Sequence, residues 1–402
     1  MAPTTSAPPA RSGPLAGIRV LDLSSVIMAP LATQILGDLG AEVILVEGAV
    51  LDINRLMGVG PHPHLSGTAL NLLRNKRSVA LDFKSEAGRG AVMRIAATCD
   101  VVVTNLRPGA LARAGLTYQD VSAVRPDIVY CQAQGYPLDS PRADDPAYDD
   151  IMQSASGLAD AARRQTGRAQ ISPTIMADKV CGLTIAYSVL AALYRRAVTG
   201  EGEWVEVPME PTMVAFTLVE HGGDAIPRPP LGPAGYARIL VPNRRPQVTA
   251  DGWIHVLPYS QKHYDALFRG GGRPDLVGEV RYSTPQARIA NANLLYEWVA
   301  DLVRPQTTAY WLEFCRRHGI PVTEVANLED LVDGLPEAQH PVGGSYKTIP
   351  PPVRFHHAPS DASRPAPLVG QHNTEVLREV GLSFEEIESL REAGALIDVA
   401  VP

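Results

Sequence analysis

Cysteine is scarce in this 402-residue chain, and the four present, Cys99, Cys131, Cys181 and Cys315, are widely spaced with no CxxC pair. That spacing excludes a disulfide framework and a thiolate metal centre, and it reads as buried free thiols in a reducing compartment. The ten histidines show no ligand rhythm beyond the loop pairs His62/His64 and His356/His357, so no metal site is expected. Positive charge is not in surplus either: 36 Lys and Arg stand against 43 Asp and Glu, for a net charge of -7. Non-specific binding to nucleic acid needs clustered cations, so no nucleic-acid partner is expected. No apolar run reaches the roughly 18 residues of a membrane span. The longest, Val180 to Leu193, is interrupted by Gly182, Thr184 and Ser188, so no membrane partner is expected. Residues 1–14, rich in Ala, Pro, Ser and Thr, lack an apolar signal core and read as a disordered leader, which points to a cytoplasmic protein. The motifs GxGxxG, GxxxxGK(S/T), GxSxG and HExxH are all missing.

At 45% hydrophobic and 20% charged, the chain has the composition of a folded globular protein, long enough for two or three domains. Ile18 to Leu23 has the apolar density of a buried strand, and Pro30 suits the first turn of a helix that Gly40 closes. Ala41 to Glu47 is a second strand, completing the strand–helix–strand unit of a parallel sheet. The pattern recurs with strands at Ser78–Phe83, Val101–Thr104 and Ile128–Gln132, and helices at Ser85–Ala97, Tyr118–Val124, Asp149–Arg163 and Asp178–Arg196. The fold class is therefore α/β: a doubly wound, Rossmann-like large domain over residues 15–224. The turn from Leu23 to Pro30 has no glycine, so this sheet is not an ordinary dinucleotide binder. Ile226-Pro227-Arg228-Pro229-Pro230 is a stiff linker into a smaller α+β domain at residues 225–335, where Asp251-Gly252 signals a hairpin. Residues 336–402 are too short to fold alone and read as a return segment that completes the large domain, which both chain ends thus form.

Asp178 is a lone acid opening a long, otherwise apolar helix. It suits an N-cap, since Asp accepts bonds from the first free N–H groups. The N-cap is the commoner role, but the same location also suits a nucleophile, held ionised by those groups and shielded from water by the apolar helix face.

The order and spacing of several short motifs resolve the ambiguity. They are Pro14-Leu15-Ala16-Gly17-Ile18-Arg19-Val20-Leu21-Asp22, Gly37-Asp38-Leu39-Gly40-Ala41-Glu42-Val43-Ile44, Asn75-Lys76-Arg77-Ser78, Asn105-Leu106-Arg107-Pro108-Gly109, Tyr148-Asp149, Ala177-Asp178-Lys179, Thr199-Gly200-Glu201-Gly202 and Pro367-Leu368-Val369-Gly370-Gln371-His372-Asn373. From about Leu15 to about Leu396 the chain resembles the class III CoA-transferases, the group of formyl-CoA transferase and carnitine CoA-transferase, with the acyl-CoA racemases as a sister branch. The resemblance implies an interlocked homodimer, no permanently bound cofactor, and coenzyme A or acyl-CoA as substrate. It implies that Asp178 attacks an acyl-CoA thioester and carries CoA as an aspartyl thioester. It assigns Val26, Ile27 and Met28 to the turn around the pantetheine arm and reacting thioester. Leu72, Asn75, Lys76 and Arg77 match a segment holding adenine and phosphates, and Asn105, Leu106 and Arg113 a second CoA-contacting stretch. For Lys76 and Arg77 the competing reading is a solvated pair of loop charges.

Three departures narrow the reaction. Where the racemase branch has a His thirty residues before the Asp, this chain has Tyr148, and a phenol is a poor base at neutral pH. Racemase chemistry is disfavoured, and Tyr148 and Asp149 are expected to bind or orient substrate, Asp149 having the alternative role of a helix N-terminal acid. A glutamine that shapes the formyl/oxalyl site is here Ile27, and the segment Leu231 to Arg245 replaces a glycine-rich loop, which together count against oxalate. Tyr236, Arg238, Arg244 and Arg245 in that segment suggest an arginine that pairs with the second carboxylate of a dicarboxylic acid. A CoA-binding protein without catalysis is the remaining alternative.

Overall fold

A computed structural model describes residues 12–48, 50–359 and 364–398. The described residues of Met1–Ala155, Pro173–Met213 and Leu335–Pro402 form one compact unit, and Ser156–Ser172 with Val214–Gly334 form a second.

The first unit is built on six parallel strands: β1 (Arg19–Leu23), β2 (Glu42–Glu47), β3 (Lys76–Ala80), β4 (Val101–Thr104), β5 (Val129–Gln134) and β6 (Glu203–Pro208). Their order is β3-β2-β1-β4-β5-β6. The chain reverses direction across the sheet between β1 and β4, and in such sheets ligands bind beyond the carboxyl ends of the strands at that switch. The connecting helices, in chain order, are α1 (Met28–Asp38), α2 (Gly67–Leu72), α3 (Glu86–Ala96), α4 (Pro108–Ala114), α5 (Tyr118–Val124) and α6 (Asp149–Ala155). After α7 (Leu158–Thr166) come α8 (Met176–Thr199) and α9 (Met209–His221). Ser66, Ser85 and Thr117 cap α2, α3 and α5 with their hydroxyls, which is why those helices begin where they do.

Strand alternation divides the core. Leu21, Leu23, Ile44, Val102 and Tyr130 pack on one face with α3 and α5 and with the C-terminal residues Val376, Leu377, Ile387 and Leu390. On the other face Asp22 meets Thr33 of α1. Helix α8 lies beside α1 at Gly182, where an added Cβ would stand 2.6 Å from the Met28 carbonyl oxygen. By length and composition α8 is apolar enough to cross a bilayer, but half of its most apolar stretch is buried inside the protein.

Two boundaries differ from the sequence pattern. Strand β3 begins at Lys76 rather than Ser78, so its first two residues, both charged, are interior. The helix expected over Asp149–Arg163 breaks at Gly157, whose φ of 89° only glycine adopts readily, giving α6 and α7.

The second unit holds the expected hairpin, β7 (Gln247–Val248) pairing with β8 (Trp253–Val256), and β9 (Val322–Glu324) pairs with β8. Its core gathers Ile254, Val256, Leu267, Phe268, Val299 and Trp311.

Candidate active site

Three loops at the carboxyl ends of β1, β4 and β5 meet the first turn of α8 around a cavity of about 340 Å³. Ser25, Val26 and Met28 come from the first loop, Asn105, Leu106 and Arg107 from the second, and Gln134 and Gly135 from the third. Tyr148, Asp178 and Met209 complete this wall. A second cavity of about 250 Å³ lies at the ends of β1, β2 and β3, and it shares Ser25 and Leu106 with the first. Lys84 is the cation on its lining.

Asp178 is the third residue of α8, and it is not the cap: Ile175 holds that position and offers no side-chain bond. Asp149, at the start of α6, accepts the Asp178 N–H at 3.0 Å instead. Its other carboxylate oxygen accepts from Gln153 at 2.6 Å, and Gln153 also donates to the Thr174 carbonyl at 3.1 Å. The Asp178 side chain is thereby left to face the cavity. Burial, and then the nearby Asp149 carboxylate, push its carboxyl up to about 6. This corrects the expectation that the helix start keeps it fully ionised, because desolvation and a like charge outweigh the dipole. Cys181, one turn along, is held as a thiol, pushed up to about 12 by burial and by the two acids.

The structure brings Val26, Met28, Asn105, Leu106, Tyr148 and Asp178 to one cavity. Ile27 is buried just behind it, in a cluster with Leu45, Leu65 and Leu72. Tyr148 is 67% exposed. Asp149 stands in the first turn of α6, the alternative position read for it, with both carboxylate oxygens engaged inside the protein.

The segment expected to hold adenine and phosphates is interior. Leu72 belongs to the apolar cluster just named. Asn75, with φ at 63°, donates to Asp38 at 2.8 Å. Lys76 is wholly buried, with its ammonium on Asp22 at 2.9 Å, Thr33 at 2.8 Å and the Pro30 carbonyl at 3.0 Å. Arg77, 1% exposed, pairs with Glu42, Glu375 and Glu379. Both cations are thus engaged with carboxylates inside the protein, unlike the phosphate contacts or solvated loop charges expected of them. The side chains of Lys76 and Arg77 point to opposite faces of the sheet because they are adjacent strand residues. Arg113 is exposed on α4 outside the cavity lining, where Arg107 stands instead. Arg107 immediately precedes Pro108, the first residue of α4, and Arg-Pro after a buried strand marks such a helix start at a sheet's carboxyl edge.

In the second unit, Arg238 donates to Tyr296 at 3.2 Å and lies over the Tyr259 ring. Arg245 lines a cavity of about 510 Å³ with Trp253 and Arg304. The Arg244 Nε is buried without a hydrogen-bond partner, and the Tyr236 N–H donates to His221. Among the described residues, no group of three or more His, Cys, Asp or Glu is placed to hold a metal ion.

Residues 15–373 match the model of CoA-transferase family III. The human succinyl-CoA:glutarate CoA-transferase is 30% identical, across 96% of this chain and 90% of that protein. The formyl-CoA:oxalate CoA-transferase of Streptomyces avermitilis is 30% identical, across 95% of this chain and 99% of that protein. Among solved structures, a CAIB/BAIF family protein from Brucella suis superposes with a TM-score of 0.77 at 25% identity, covering 92% of this chain and all of that one.

Proposed function

This chain belongs to CoA-transferase family III, and we propose that it moves CoA from an acyl-CoA donor to a carboxylic acid acceptor through an aspartyl-CoA thioester on Asp178. The observation that carries the reading is the placement of Asp178: a buried carboxyl with no side-chain hydrogen bond among the described residues, opening on a cavity at the switch point of a parallel sheet. The thioester end of the substrate occupies the cavity that holds Asp178, and the CoA body continues past Ser25 and Leu106 into the adjoining cavity, with Lys84 near its phosphates.

The steps balance without ATP. The Asp178 carboxylate attacks the thioester carbonyl and expels CoA thiolate, leaving a mixed anhydride. Thiolate attacks the aspartyl carbonyl, releasing the donor acid and forming the aspartyl-CoA thioester. The acceptor carboxylate attacks that thioester to give a second anhydride, which thiolate opens into the new acyl-CoA and free Asp178. Each intermediate hydrolyses in water, so the bound substrate must itself keep water from the cavity that Asp178 faces. The acids belong to the carboxylate class handled by the two relatives.

A second copy of the chain is proposed on the outer face of α8, where Leu183, Tyr187, Tyr194 and Val198 form an exposed apolar stripe at helical spacing. The test of the reaction is intact-protein mass after mixing with a panel of acyl-CoA donors. A CoA adduct that hydroxylamine or borohydride converts at Asp178 is expected, and its loss in Asp178→Ala. Full activity of Asp178→Ala would sink the reading.

A further inference from the structure

The loop after β1 is gripped residue by residue. The Ser24 N–H donates to Asp22 at 3.1 Å, and Asn105 brackets Ser25, accepting its N–H at 2.9 Å and donating to its carbonyl at 2.8 Å. Val26 is held in the same way from another direction. Its N–H reaches both oxygens of Asp52, at 3.1 and 3.2 Å, and its carbonyl accepts from the Asn54 side chain at 3.2 Å. Three successive N–H groups therefore end on side chains. In a glycine-rich dinucleotide turn those groups point at a phosphate. Here the loop offers none of them to an anion and serves as a rigid wall.

Val26 needs that grip. Its φ is 66°, in the left-handed region, where a β-branched residue is strained. Such a conformation persists only when its surroundings over-determine it. Asp52 also caps the short turn Ile53–Arg55 by accepting the Asn54 N–H at 2.9 Å, and capping alone would explain one oxygen. It does not explain the second oxygen, or the Asn54 amide reaching back 28 residues to Val26.

We propose that Asp52 and Asn54 are positioning residues, which hold the Val26 peptide left-handed and so fix the cavity wall that Val26 and Met28 share with Asp178. The inference rests on Asp178 being the residue that is acylated. Released from the bracket, Val26 returns to negative φ, its peptide groups rotate, and Met28 at the start of α1 shifts with them.

The test is a cycle between Asp52→Ala and Val26→Gly, read by the single-turnover rate of covalent adduct formation at Asp178. Asp52→Ala is expected to slow that step about tenfold or more at saturating acyl-CoA, since small displacements of a reacting wall cost rate. Asp52 and Asn54 also line the adjoining cavity, so the rate and not the affinity is the readout. In the Val26→Gly background the same replacement is expected to slow it less than about twofold, because glycine occupies the left-handed region unaided. Equal slowing in both backgrounds, or none in the Val26 background, would overturn the proposal. Asp52→Asn keeps one acceptor and the shape of the site. It should fold if Asp52→Ala does not, and it should be slowed less. A wild-type protein that forms no adduct at Asp178 overturns the reaction scheme instead. The bracket is then judged by amide hydrogen exchange over residues 24–28, expected to quicken in Asp52→Ala, and unchanged exchange overturns it.

Discussion

The main-chain N–H of Asp178 donates to the Asp149 carboxylate at 3.0 Å, so the acid that caps the first turn of α8 comes from another helix and leaves the Asp178 side chain open to the cavity. Asp149 has a second effect, since its charge adds to burial in pushing the Asp178 carboxyl up to about 6. A carboxylate attacks and a carboxylic acid does not. Adduct formation should therefore rise with pH through about 6 and level off above it. Asp149→Asn keeps a side-chain acceptor but removes the like charge, so the acid limb should move to lower pH. A single-turnover pH profile reads this directly, and a limb that stays put in Asp149→Asn would show that burial alone sets it.

The same shift has a stability consequence of opposite sense to the usual salt-bridged Asp. The folded carboxyl titrates at about 6 against 3.8 for an unperturbed Asp, so between those values the folded chain holds a proton that the unfolded chain has lost. Stability then falls as pH rises from about 3.8 to about 6, by an amount of order 2–3 kcal/mol, and the loss is complete above that range. Asp178→Asn, which cannot ionise, should be more stable than the native protein at pH 7 to 8. The advantage should vanish toward pH 4. Denaturant melts at both ends of the range check this, and a pH-independent difference would contradict it.

Much of the sheet was legible because parallel strands buried on both faces are near-continuous apolar runs, as in Val101–Thr104 and Glu42–Glu47. Asp178 was legible as a lone acid in an apolar helix, although pattern alone made it a cap. The interior placement of Lys76 and Arg77 was illegible for a physical reason. Their partners, Asp22 on one face and Glu375 and Glu379 on the other, lie 54 residues before and about 300 residues after them, and only the sheet brings these together. The bracket on Val26 was illegible for the same cause: nothing local marks a valine as left-handed, and Asp52 and Asn54 look like ordinary turn residues.

Lys76 supplies a direct check of its interior role. Both its side chain and that of Asp22 are fully buried, so Lys76→Met leaves an unpaired carboxylate in the interior. Removing one partner of such a pair is expected to destabilise the fold by about 3–5 kcal/mol. Lys76→Met with Asp22→Asn should recover most of the loss, since no buried charge remains. Acyl-CoA affinity of whatever protein stays folded should be unaffected. A large fall in affinity with normal stability would return Lys76 to the phosphates.

Gly182 lies one turn after Asp178 on the same helix face, and its missing side chain is what lets α1 approach. A Cβ there would stand 2.6 Å from the Met28 carbonyl oxygen and 3.2 Å from a methyl of Leu31. The first is main chain and cannot swing aside, so Gly182→Ala must push α1 away from α8. Overpacking of this kind is expected to destabilise by about 1–3 kcal/mol. The larger effect should be on chemistry, because the displaced residue is Met28, whose side chain lines the cavity that Asp178 faces. Adduct formation should slow by more than the loss of stability accounts for, in protein kept well below its melting temperature. If Gly182→Ala melted normally and reacted at the native rate, the close approach of α1 to α8 would not be what sets the distance between Met28 and Asp178.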